Sequence, residues 1–129
     1  MRIFGSLRPC IFLLVTMLCC IGPAWTLAAE SGADLYDQEC GDCHSLANPP
    51  KNKKGPGLFG IIGKPAAGVP NFTYSDSLRA AKLVWSAATM DAYIKNPKAL
   101  VAGGGKMKYD GLGNATERAA LIEFLTQQK

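Results

Sequence analysis

Cys40, Cys43 and His44 lie within the stretch ECGDCHS, which holds two of the chain's five cysteines and its single histidine. Thiols and an imidazole at this spacing can do three kinds of chemistry: cycle as a redox dithiol, supply half of a zinc site, or anchor a haem through the pattern C-x-x-C-H. A structural zinc site needs four ligands, usually sulfur or nitrogen, and His44, adjacent to Cys43, cannot readily join one tetrahedron with both cysteines. A thioredoxin-like dithiol expects a βαβ setting, and strand signals are weak along this chain. The third pattern is met in full by CGDCH. In that chemistry each thiol adds across one haem vinyl group, and the adjacent histidine is held where its ring nitrogen ligates the iron.

The sixth position on such an iron divides function. Methionine sulfur there gives electron transfer at raised potential, whereas an empty site permits small-molecule binding or peroxide chemistry. Two of the four methionines, Met90 and Met107, lie beyond the N-terminal leader discussed next. Met90 sits on the apolar side of a helical stretch, where core packing alone accounts for it. Met107 stands in GGGKMK, where no packing argument explains it and glycines let the backbone approach a flat cofactor. Met107 is the better candidate.

The leader changes the cysteine count. Arg2 and Arg8 precede the apolar run CIFLLVTMLCCI, Gly22-Pro23 interrupts it, and Thr26 and Ala28 are small residues at the spacing a signal peptidase needs. This predicts a secretory signal peptide over 1–28, cleaved after Ala28 or, as second choice, after Ala29. The alternative is a retained membrane anchor, since no charge occurs between Arg8 and Glu30. The twelve-residue apolar core and the Gly-Pro break favour cleavage. Cleavage removes Cys10, Cys19 and Cys20, and leaves 12 basic residues against 10 acids, a net charge of +2. No run of Lys and Arg with interleaved aromatics supports nucleic-acid binding. About 100 residues make a small core, and two cysteines so close together cannot staple distant segments. A buried cofactor could do that instead.

These groups must be positioned by helices. Four helical stretches are readable in a single domain over 29–129, and the expected fold class is all-α. The first spans roughly Ser31 to Cys40, with Ser31 and Asp34 as a capping pair. A long Gly-, Pro- and Lys-rich loop runs from Leu46 to Phe72. The second spans Ser75 to Lys82. In the third, Ser86 to Asn96, Met90, Tyr93 and Ile94 recur at helical spacing, and Pro97 ends it. The last begins at Asn114 as N-cap, with Glu117 three residues on, and Leu121, Ile122, Phe124 and Leu125 form its apolar side.

Over nearly the whole of 29–129 the sequence resembles the class I cytochromes c. The motifs that carry the likeness are CGDCH, GPGLFGIIGKPAAG (Gly55 to Gly68), FTYS (Phe72 to Ser75), Trp85, YIKNP (Tyr93 to Pro97) and KMKYDGL. The resemblance implies about four short helices wrapped around one haem c attached through Cys40 and Cys43, with His44 and Met107 as axial ligands. It further implies that the Pro56 carbonyl accepts the proton on the other nitrogen of His44, and that Leu58 packs on the haem face. Tyr74 and Trp85 would donate to a buried propionate, and Tyr93 would point its hydroxyl toward the Met107 sulfur. Gly32 and Tyr36 would cross closely over Phe124 or Leu125.

Three departures stand out. The family's Pro-Gly-Thr-Lys-Met reads Gly103-Gly104-Gly105-Lys106-Met107, with one residue extra after Pro97, which predicts a looser Met107 bond. Lys64 stands where an arginine is common near a propionate, and is a less rigid donor. Tyr109 replaces the usual phenylalanine, which puts a polar tip near the haem edge.

The function implied is an electron carrier, not an enzyme: one-electron Fe(III)/Fe(II) cycling between redox proteins in the periplasm. The expected partners are a dehydrogenase, a bc1-type complex or a terminal oxidase with an acidic docking face, steered by Lys51, Lys53, Lys54, Lys106 and Lys108. A monomer is expected, meeting the membrane only transiently through its partners. The alternatives are a haem enzyme or gas- or peroxide-binding protein with a labile sixth ligand, or a cytochrome subunit of a larger complex. A catalytic distal site would want an acid–base group, and no histidine remains once His44 is used.

Overall fold

The computed structural model describes residues 29–129. The leader predicted for residues 1–28 lies outside the described residues. No helix among the described residues is long and apolar enough to cross a membrane. The architecture is all-α: α1 (Gly32–Glu39), α2 (Asp76–Ala80), α3 (Ala87–Lys95), α4 (Pro97–Leu100) and α5 (Ala115–Gln127), with a turn of 3-10 helix over Ala102–Gly104. Among the described residues there is no strand, only an isolated antiparallel bridge between Pro65 and Val84.

Each of the four expected helices begins where a short polar side chain can satisfy a free N–H. Ser31 accepts from Asp34 N–H, Ser75 from Leu78, Ser86 from Thr89, and Asn114 from Thr116 and Glu117. The Ser86 cap is reciprocal, because the Thr89 side chain accepts in turn from the Ser86 N–H. α4 was not expected. Pro97 does end α3, but it then occupies the first turn of a new helix, where its missing N–H costs nothing. Asn96 closes α3 and caps α4, its side chain accepting from Ala99 N–H at 3.2 Å.

Helices α1 and α5 cross at Gly32. A Cβ at position 32 would lie 2.5 Å from Phe124 Cβ, so only glycine permits this approach. One turn on, the Tyr36 and Phe124 rings meet at 5.9 Å, which makes Phe124 the crossing partner. Leu35, Val101, Leu121 and Leu125 are almost wholly buried. Arg118 of α5 is buried too, at 5 % exposure, with its guanidinium donating to Asp91 at 2.8 Å and to the Leu112 and Gly113 carbonyls. That cluster joins α3, α5 and the loop between α4 and α5.

Candidate functional site

The end of α1 shapes the thiol and imidazole cluster. Cys40 N–H and Gly41 N–H both donate to the Tyr36 carbonyl at 2.8 Å. The chain then curls so that Cys43 and His44 N–H donate to the Cys40 carbonyl, at 3.1 and 2.8 Å. The Tyr36 hydroxyl donates to the His44 carbonyl at 3.0 Å, and Gly55 N–H donates to the Cys43 carbonyl at 2.8 Å. The second contact brings the Gly55-Pro56 loop against the imidazole. There His44 Nδ1 donates to the Pro56 carbonyl at 2.7 Å. A Cβ at position 55 would stand 2.8 Å from Nδ1 and 2.9 Å from Nε2, so glycine is what lets backbone lie on the ring.

This geometry decides the state of each group. With its proton on Nδ1, His44 keeps a lone pair on Nε2, the form that ligates a metal. Burial lowers the His44 pKa, outweighing the opposing Pro56 bond, and the nearby Lys53 charge lowers it further. Burial, aided by the charges of Glu39 and Cys43, pushes the Cys40 thiol up to about 12. A redox dithiol needs the opposite shift. Among the described residues no group of three or more His, Cys, Asp and Glu side chains is placed to hold a metal ion.

The cluster opens onto a cavity of about 380 Å³. All nine residues expected at the site line it: Cys40, Cys43, His44, Pro56, Leu58, Tyr74, Trp85, Tyr93 and Met107. They come from five separate parts of the chain. α1 and its C-terminal turn bring the cysteines and histidine, the long loop brings Pro56 and Leu58, and the approach to α2 brings Tyr74. Trp85 precedes α3, Tyr93 lies within it, and Met107 arrives on the glycine-rich loop. That loop turns through Gly103 at φ 68° and Gly105 at φ 66°, left-handed conformations that a threonine would resist.

Polar atoms in the walls are few. The Tyr74 hydroxyl accepts from Val69 N–H at 3.2 Å, and the Phe72 ring stands edge-on to it at 4.9 Å. Trp85 packs on Tyr93 at 5.0 Å. Burial raises the pKa of both Tyr74 and Tyr93, so each hydroxyl keeps its proton to donate. An apolar slot holding two thiols, a lone-pair imidazole nitrogen and a thioether sulfur fits a metalloporphyrin and its attachment chemistry. Met90 also reaches the cavity, from the buried side of α3.

The lysines divide. Lys54, Lys106 and Lys108 line the cavity, whereas Lys53 is turned onto the Gly41 carbonyl at 2.6 Å. Lys64 lines a second groove with Phe59, Gly60 and Gln128. Its backbone is held on both sides: Lys64 N–H donates to the Ile61 carbonyl, and the Lys64 carbonyl accepts from Trp85 N–H at 2.9 Å. Two cavity residues were given no role by the sequence, Glu39 and Leu78. Glu39 is the more consequential, because its carboxylate accepts from the Tyr109 hydroxyl at 2.6 Å. Burial and that bond to Glu39 both push the Tyr109 pKa up.

No family model matches the chain. Individual proteins do. It is 37 % identical over 97 residues to cytochrome c of Stellaria longipes, covering 75 % of this chain and 89 % of that protein. It is 37 % identical over 109 residues to cytochrome c2 of Rhodomicrobium vannielii, covering 81 % and 86 %. Over 99 residues it is 36 % identical to cytochrome c-550 of Bradyrhizobium diazoefficiens, covering 77 % and 71 %. Likeness at this level across most of the described chain joins the helical fold and the CGDCH turn in one conclusion: the chain belongs to the cytochrome c family, class I, with haem c as its cofactor.

Proposed function

We propose that the protein is a soluble electron carrier of the periplasm, released by cleavage of residues 1–28, whose haem c is ligated by His44 and Met107. When bound, haem c supplies one-electron Fe(III)/Fe(II) chemistry. Cys40 and Cys43 hold it through thioether bonds. His44 presents Nε2 to the iron, while its bond to Pro56 fixes the ring and raises its basicity. Met107 provides sulfur, a ligand that raises potential relative to a second histidine or water. Leu58 excludes water from the haem face. Tyr74 and Trp85 would donate to a haem propionate, since a buried carboxylate needs such partners. Tyr93, which lines the same cavity, would orient the methionine sulfur.

The observation that carries this reading is the 2.7 Å bond from His44 Nδ1 to the Pro56 carbonyl, beside two thiols in an apolar cavity that Met107 also enters. Lys54, Lys106 and Lys108 on the cavity rim favour partners with an acidic face, such as a dehydrogenase, a bc1-type complex or a terminal oxidase. The carrier acts as a monomer. The intact mass of protein purified from its native membrane-enclosed compartment tests attachment and processing together. The expected mass is that of a chain starting at Ala29 plus one haem. A mass retaining residues 1–28 would make it an anchored cytochrome, and a mass without haem would refute the cofactor assignment.

A further inference from the structure

The loop that carries Met107 packs Val101, Met107 and Leu112 on the core but has few polar ties. Among the described residues its backbone is tied to the rest of the fold at its two ends, Val101 N–H on Pro97 and Leu112 N–H on Ile94. Between those points side chains hold it. Lys98 reaches Asp110 at 3.4 Å, but both groups are largely exposed, and such pairs contribute little. Lys106 donates to the Thr73 carbonyl at 3.2 Å, also in solvent. The third tie differs in kind. Tyr109 O–H donates to the Glu39 carboxylate at 2.6 Å, partly buried, between residues 70 apart in the chain. A hydrogen bond to a charged acceptor is about twice as strong as a neutral one, and screening is weaker away from water.

Its placement makes it a clasp. Glu39 is the last residue of α1 and immediately precedes Cys40, and Tyr109 lies two residues beyond Met107. Both line the cavity. The bond therefore joins the segment bearing the thiols to the segment bearing the thioether. We propose that Tyr109 and Glu39 latch the Met107 loop shut and so limit displacement of Met107 by outside ligands. The pair are positioning residues, acting through the loop. They offset the freedom introduced by Gly103, Gly104 and Gly105. The inference rests on Met107 as iron ligand, and the test separates the two.

The experiment uses the full holoprotein, Tyr109→Phe, Glu39→Ala, Glu39→Gln and the Tyr109→Phe/Glu39→Ala double variant. It reads the rate at which imidazole replaces the native sixth ligand, and amide hydrogen exchange over residues 105–109. Tyr109→Phe and Glu39→Ala should each speed both processes about tenfold, as loss of one charge-assisted bond implies. The double variant should be no faster than either single one, because one bond is lost in all three. Glu39→Gln, which keeps an acceptor oxygen, should fall between wild type and Glu39→Ala. Lys98→Ala, which removes the exposed tie, should change neither rate by more than about twofold. Unchanged loop exchange in Tyr109→Phe, or additive single effects, would overturn the latch. Faster loop exchange in a protein lacking the far-red methionine–iron(III) band would uphold the latch and overturn Met107 as ligand.

Discussion

Gly55 is in contact with the face of the His44 imidazole, so that an added Cβ would lie 2.8 Å from Nδ1 and 2.9 Å from Nε2. The same ring is pinned on its edge by the Pro56 carbonyl at 2.7 Å. The imidazole is thus aimed by two successive residues of one loop, a backbone surface and a backbone acceptor.

Gly55→Ala must therefore tilt the imidazole or push the loop away. Overpacking of this kind costs about 1–3 kcal/mol. Denaturant unfolding of the holoprotein should show a lower midpoint, and the visible spectrum should show a perturbed sixth-ligand band as the ring turns.

The α1–α5 crossing responds separately. Gly32→Ala places a methyl on Phe124 Cβ and the Ala120 backbone, and should destabilise by about 1–3 kcal/mol. A domain of this size loses roughly 4–8 °C in Tm per kcal/mol. The haem spectrum should change less than the stability, since Gly32 does not line the cavity.

Arg118 should be as sensitive as a core leucine. Removing it leaves the Leu112 and Gly113 carbonyls and the Asp91 carboxylate without their donor. Asp91 is 43 % exposed and can recover water, so Arg118→Ala should cost about 2–3 kcal/mol, below the full figure for breaking a buried pair. Arg118→Lys should not restore it, because a single ammonium lacks the fork that reaches three acceptors. Chemical denaturation of the three proteins checks this.

How far could such features be read in the residues themselves? Caps could, because Ser31, Ser75, Ser86 and Asn114 act on N–H groups two or three residues away. The C-x-x-C-H turn is local for the same reason. Gly32 against Phe124 was legible only through family resemblance. α4 was hidden, since a proline that stops one helix also starts another well, and the choice depends on Asn96 capping it. Nothing in the sequence around Arg118 marks it as buried. Its burial follows from where Leu112 and Gly113 bring their carbonyls, a tertiary fact with no sequence period. Tyr109 was recognised as a departure, but its acceptor Glu39 lies 70 residues away, beyond any spacing rule.

Alkaline pH should weaken the fold. Burial raises the Tyr36 hydroxyl from 10.0 to about 12, and burial shifts Tyr74 and Tyr93 in the same direction. Above pH 10 the unfolded chain gives up these protons first, so it binds fewer than the native state and stability falls as pH rises. The stabilising contribution of Tyr36 is fully present below 10 and is lost as pH approaches 12. Unfolding free energies measured across that window should decline. Tyr36→Phe should start about 1 kcal/mol lower at neutral pH, having lost its bond to the His44 carbonyl, and should decline less steeply.

The visible spectrum of the oxidised and reduced holoprotein tests the central claim most directly. His44 and Met107 as the two axial ligands predict a low-spin c-type spectrum in both states, with a weak far-red methionine–iron band in the oxidised protein. Met107→Ala should abolish that band. A high-spin oxidised spectrum in the native protein, or a far-red band that survives Met107→Ala, would contradict the assignment.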